Sequence, residues 1–220
     1  MLVLSMTIEE IYREIMRDLD TVKRRSDAEA IILQKQMLRK KLEKEVRTLC
    51  FKTQYRNEWQ LVFHIDCKGI KKAFYVHTRD SRGMVAYTIE FLDMVDGTMD
   101  KYLVKYNSHF FQRYNERMQL GFPDQAKTIK YFFKKNLEYK KGATELIADK
   151  LRQVHFVYEN GIGIGWQDDA AKAITMKTFV SNDILTNRQR NLAEHITDGA
   201  EDEEFSLIIK LENLQKALSA

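Results

Sequence analysis

At residue 58 the spacing of apolar side chains changes, and that change constrains the fold more than any other feature. Before it, apolar residues recur every three or four positions, as on one side of a helix. Ile8, Ile11, Tyr12, Ile15, Met16, Leu19 and Val22 form one such stripe. After it, Trp59, Leu61, Phe63, Ile65 and Cys67 alternate with Gln60, Val62, His64 and Asp66, which is the period of a strand with one buried face. Two periods held in separate blocks predict an α+β protein.

The helical block divides at its capping signals. Thr7-Ile8-Glu9-Glu10 fits a capping box, in which a hydroxyl and a carboxylate satisfy reciprocal backbone donors. Ser26-Asp27-Ala28-Glu29 fits a second, so residues 7–50 are expected to fold as a helical hairpin. The remainder, 58–220, is expected to form one α+β domain. Residues 58–106 read as a four-strand meander with turns at Lys68-Gly69 and Asp80-Ser81-Arg82-Gly83. Residues 107–180 read as helix, helix and three strands, with helices over 108–120 and 123–136 and strands over 153–158, 161–167 and 172–180. Lys134, Lys135, Lys140, Lys141 and Gly142 read as the end of the second helix and a loop. Thr186-Asn187-Arg188-Gln189 caps a C-terminal helix, and 205–218 reads as a closing helix within the final segment 186–220. The expected architecture is an antiparallel sheet of about seven strands with inserted and C-terminal helices.

Charge has a direction along the chain. Residues 59–158 hold 17 basic and 11 acidic side chains, whereas residues 159–220 hold 6 and 11. The middle attracts phosphate and the tail repels it. Two cysteines, Cys50 and Cys67, cannot build a disulfide framework, and the apolar start is too short for a signal segment. A reduced, cytoplasmic protein is expected, with no membrane partner, since no apolar run reaches the ~18 residues a span requires. The histidines and cysteines lack metal-ligand spacing, so no metal and no cofactor are expected. Gly161-Ile162-Gly163-Ile164-Gly165 lacks the helix and Lys-Ser/Thr of a phosphate loop, and reads as a strand that lets a neighbour approach closely.

One helix is the candidate for chemistry. On 108–120, at ~100° per residue, His109, Arg113, Glu116 and Arg117 share one side, while Phe110, Phe111, Tyr114 and Met118 share the other. An imidazole moves protons near neutral pH, and two guanidiniums one turn apart grip a phosphate. Together they are the groups a metal-independent phosphodiester cleavage needs. A polar stripe opposite an apolar one is also what any surface helix shows.

The run His109-Phe110-Phe111-Gln112-Arg113-Tyr114-Asn115-Glu116-Arg117, a second helix, and strands ending in Ile174-Thr175-Met176-Lys177-Thr178-Phe179-Val180 resemble the small ribonuclease superfamily of barnase-like, colicin-type and RelE-type nucleases. The resemblance covers about residues 107–180. It implies His109 as general acid/base, Arg113 and Arg117 as phosphate binders, and Thr178 or Lys177 as last-strand contributors. Glu116 joins this catalytic set, and Lys177, Lys134 and Lys135 are nucleic-acid contacts. The expected function is RNA binding or metal-independent RNA cleavage on this helical face. The alternatives are a non-catalytic protein that self-associates through residues 7–50, and a ligand-binding domain with its pocket between sheet and helices.

Overall fold

The computed structural model describes residues 1–3, 5–40, 43–93, 99–148 and 151–198. The chain is α+β, as its two periods require. Helix α1 (Ile8–Lys40) leads into strands β1 (Lys44–Lys52), β2 (Glu58–Asp66), β3 (Gly69–Asp80), β4 (Gly83–Asp93) and β5 (Met99–Tyr106). Helices α2 (Ser108–Arg117) and α3 (Gln125–Lys135) follow, then β6 (Lys140–Ala148), β7 (Leu151–Tyr158), β8 (Gly161–Asp168) and β9 (Ala173–Ser181). A 3-10 turn (Asn182–Ile184) precedes α4 (Asn187–Asp198).

The nine strands form one sheet in the order β1-β2-β3-β4-β5-β9-β8-β7-β6. It is two antiparallel meanders joined along one parallel seam, β5 against β9. Helices α2 and α3 carry the chain from β5 to the far edge, where β6 runs opposite to β5, and three antiparallel steps back through β7 and β8 bring β9 parallel to β5.

Three expectations fail here. The first is the hairpin over 7–50. Residues 8–40 form one helix, 33 residues long. The Thr7 box caps it, with Thr7 N donating to Glu10 Oε2 at 2.8 Å and Glu10 N to Thr7 Oγ1 at 3.3 Å. The Ser26 box caps nothing. No Gly or Pro interrupts residues 8–40, so the helix continues and Ser26 is buried within it. The second failure follows: 44–52 is strand β1, not helix, paired over its whole length with β2. The third is the loop expected at Lys140-Lys141-Gly142, which is the start of β6. These two edge strands raise the count from seven to nine. The expected helix over 205–218 lies outside the described residues.

Both faces of the sheet are covered. Trp59, Leu61, Phe63 and Ile65 point toward α1 and pack with Ile15, Leu19 and Val22. Val62, Tyr75, Ala86, Val104 and Tyr106 point the other way, into an aromatic core under α2 and α3. Phe132 of α3 sits at its centre, with ring centroids 5.0 Å from Tyr114, 5.2 Å from Phe110 and 5.3 Å from Tyr158. Phe133 stacks on Tyr75 of β3 at 4.0 Å. One helix therefore touches β3 and β7, near opposite ends of the sheet, so the sheet curls around it. The glycine run of β8 does allow a close approach. A Cβ at Gly163 would stand 2.8 Å from Met176 Cε and 3.2 Å from Phe110 Cε2.

A buried polar contact fixes α1 on the sheet. Asp18 Oδ2 accepts from Trp59 Nε1 at 2.9 Å and from Asn57 Nδ2 at 2.8 Å. Substitution Asp18→Ala leaves Trp59 Nε1 buried without an acceptor and Asn57 Nδ2 with only Glu14 Oε1, at 3.3 Å, so a loss of about 2 kcal/mol is expected. Urea unfolding measures it. A loss below about 0.5 kcal/mol would show that water reaches both donors.

Candidate functional site

The polar side of α2 forms as its spacing requires, with Phe110, Phe111 and Tyr114 buried beneath it. Arg113 Nε lies 3.4 Å from His109 Nε2, and Arg113 Nη1 donates to Glu116 Oε2 at 2.9 Å. His109 and Glu116 are exposed, and Arg113 and Arg117 are half-buried. The stripe thus assembles on an outward surface. Arg113 is engaged by a carboxylate on its own helix, a contact of modest strength at an exposed site.

The last strand does not complete this site. Strict alternation would place Ile174, Met176, Thr178 and Val180 on one face, yet Ile174, Met176 and Phe179 share the aromatic core. The reason is a bulge. Ile164 pairs with Thr178 while Gly165 pairs with Met176, so Lys177 is the extra residue. One inserted residue exchanges the faces of everything beyond it. Phe179 turns toward α2, with its ring 4.9 Å from Tyr114. Thr178 turns to the opposite face of the sheet, away from His109, and Lys177 is exposed.

The lysines of α3 stand elsewhere. Thr128, Ile129, Phe132 and Phe133 are buried, and Lys127, Lys130, Lys134 and Lys135 line the outer side. Among the described residues none of these four makes an ion pair. Half-buried Tyr131 lies among them, its ring 5.7 Å from Phe122 and 5.9 Å from the Lys135 ammonium.

This row runs into a cleft of about 1380 Å³ between the two ends of the curled sheet and the end of α3. Lys44 and His64 line it from β1 and β2, Lys140 and Tyr158 from the far side, and Lys134 and Lys135 from α3. Lys71 pairs with Glu138 at 2.5 Å, and His64 bonds the Lys134 carbonyl. Burial holds the His64 imidazole below its ordinary pKa. Deeper in, Tyr139 Oη donates to Glu90 Oε2, and the Tyr106 and Tyr158 hydroxyls meet at 3.2 Å. Burial lifts the Glu90 carboxyl above the usual range, against the hydrogen bond from Tyr139. Glu90 and Tyr139 had no signal in the sequence. Glu90 reads as one member of an alternating strand, and Tyr139 follows a helix end.

Among the described residues no three His, Cys, Asp or Glu side chains gather to hold a metal ion. The β2–β3 turn is Cys67-Lys68, so His64 pairs with Lys71 rather than Ala73. His77 then falls six residues along the ladder from His64, ~20 Å. No described helix is long and apolar enough to cross a membrane. Comparison with family models, curated proteins and solved structures found no match to this chain.

Proposed function

We propose that this protein binds single-stranded RNA along the outer side of α3, with the strand entering the cleft at the end of that helix. One observation carries the reading. Four lysines without carboxylate partners flank an accessible aromatic ring and continue into a cleft lined by Lys44, Lys71 and Lys140 as well as by Asp66, Glu138 and Glu159. Phosphate contacts from lysines supply sequence-independent affinity, and aromatic rings stack exposed bases. The size of the cleft supports a chain ligand, because pockets for single small molecules occupy about 300–1000 Å³.

Cleavage is the second reading, favoured by the contact between Arg113 and His109. It needs a site that holds the phosphate against the imidazole, and this stripe is open to water, so binding is the better-supported activity. The self-association reading loses its motive. Ile11, Ile15, Leu19 and Val22 are buried against this chain's own sheet.

Fluorescence anisotropy with a labelled RNA single strand, repeated across salt concentrations, tests the proposal. Joint substitution Lys127→Gln, Lys130→Gln and Lys134→Gln should lower the salt slope by about 2, at ~0.7 per lost phosphate contact. Affinity at 0.1 M salt should fall about a hundredfold, while the melting temperature stays put. An unchanged slope would refute the α3 assignment. Loss of cleavage of the same strand on His109→Ala would restore the catalytic reading.

A further inference from the structure

Among the described residues four carboxylates line this cleft beside its lysines, and of Asp66, Glu90, Glu138 and Glu159 only Glu90 is tied to a tyrosine hydroxyl. Glu90 shares the α3-facing side of β4 with Ala86, and its side chain lines the cavity. The carboxylate is held in position. Tyr139 Oη donates to Oε2, and the Tyr139 ring stacks on Phe156 at 4.5 Å with an interplanar angle of 10°. A carboxylate offers about four lone-pair sites, and Tyr139 occupies one. No hydrogen bond from a described residue reaches Oε1, although the Lys141 ammonium is close enough to favour the charged carboxylate. Tyr131 presents a half-buried ring on the wall, and Lys134 and Lys140 stand at the rim.

We propose that the cleft reads one unstacked nucleobase: Glu90, positioned by Tyr139, accepts a hydrogen bond from an exocyclic amino group, so cytosine is preferred over uracil. The proposal rests on the RNA reading above and adds a specificity to it. Cytosine N4 donates two hydrogens where uracil O4 presents only lone pairs. An acceptor facing Glu90 Oε1 repels it and leaves both groups unsatisfied. Partial burial sharpens that discrimination, because a desolvated carboxyl cannot turn to water instead. The two bases match in size and stacking surface, so the difference reports the amino group alone. The rim lysines hold the flanking phosphates, and the Tyr131 ring supplies stacking that either base can use.

The test compares oligocytidine and oligouridine of twelve nucleotides on the full-length chain. The wild type should bind the cytidine strand about tenfold more tightly. Glu90→Gln places an amide donor opposite uracil O4, so the preference should vanish or invert, with uridine-strand affinity not reduced. Tyr139→Phe keeps the stacked ring and removes only the positioning donor. It should narrow the preference without touching Glu90. Equal affinity of the wild type for both strands, with a steep salt slope, overturns the base-reading site and leaves the lysine surface standing. A preference that survives Glu90→Gln overturns it equally. Should neither strand bind, the lysine surface fails, and NMR titration with 5′-CMP and 5′-UMP then decides the pocket. CMP-selective shifts of the Tyr131 and Tyr139 rings, lost in Glu90→Gln, uphold it, and their absence ends it.

Discussion

Replacing Phe132 by Ala should cost about 4 kcal/mol of stability, the middle of the usual 3–5 kcal/mol range for a buried phenylalanine. Total stabilities of such domains are about 5–15 kcal/mol, so one ring carries a large share. The reason is position. Phe132 meets Tyr106 of β5 at 5.4 Å, Phe110 of α2 at 5.2 Å and Tyr158 of β7 at 5.3 Å. It bridges both meanders and both inserted helices. Its neighbours belong to separate elements whose backbones are fixed by the sheet, so they cannot close over the cavity. Phe122→Ala is the control. That ring is half-buried, with an edge contact to Tyr131, and its loss should cost less than about 1 kcal/mol. Urea midpoints of the two variants give the comparison. A Phe132→Ala loss under 2 kcal/mol would mean that the aromatic core repacks freely. The prediction bears on function as well, since α3 is anchored by the side opposite its lysines.

What the sequence made legible was whatever local pattern decides. The strand cores of β2 to β5 and β7 to β9 follow from period-two alternation, and the Thr7 and Thr186 boxes cap real helices. Thr186 N donates to Gln189 Oε1 at 3.0 Å and Gln189 N to Thr186 Oγ1 at 3.3 Å. The Ser26 box has the same letters and no structural effect, because a cap needs non-helical backbone before it and nothing there breaks the helix. Strand β1 was hidden for a different reason. Val46 and Leu49 also fit a helical stripe, flanked by Lys44, and only pairing with β2 selects the strand. Strand β6 begins inside a lysine-glycine run that resembles a loop, and it too exists through its partner, β7.

The candidate site divides along the same line. The His109 stripe is a property of one helix, so spacing alone gave it. The lysines of α3 were visible, but the cleft beside them was not. It is formed by strands more than sixty residues apart in sequence, such as those carrying His64 and Val157, brought together by the curl of the sheet. Thr178 shows how sharply such readings can fail. Its assignment required alternation to hold through β9, and one bulge at Lys177 moved it to the far face. A bulge leaves no trace in the spacing of apolar residues unless the partner strand is known.

His155 should make this protein lose about 3 kcal/mol of stability between pH 6.5 and pH 4. The imidazole is buried on β7, on the face opposite the aromatic core, and its Nδ1 has no hydrogen-bond partner. Burial alone lowers its pKa from 6.5 to about 4, with no charged neighbour contributing. In the unfolded chain the ring takes up its proton near pH 6.5, whereas in the folded chain it resists until about pH 4. The unfolded state therefore binds more protons throughout that window. Stability is full above pH 6.5, falls as the pH drops toward 4, and levels off below it, at about 1.4 kcal/mol per unit of displacement. Carboxylates held low in the folded state, such as Asp169, add their own loss at more acid pH. The difference between wild type and His155→Leu isolates the histidine. Urea midpoints at pH 7, 5.5 and 4 should diverge for the wild type and the variant, and parallel curves would show that the protonated ring finds an acceptor. The paired residue Gly142 is the second clue. A Cβ there would meet Ile196 of α4 at 2.5 Å, so α4 packs directly over this part of the sheet. Charging His155 should accordingly release α4 before the meanders, seen as early loss of amide protection over 187–198. Thr197 of that helix lines the cleft, so acid that loosens α4 should weaken the proposed RNA binding at a pH where the sheet is still folded.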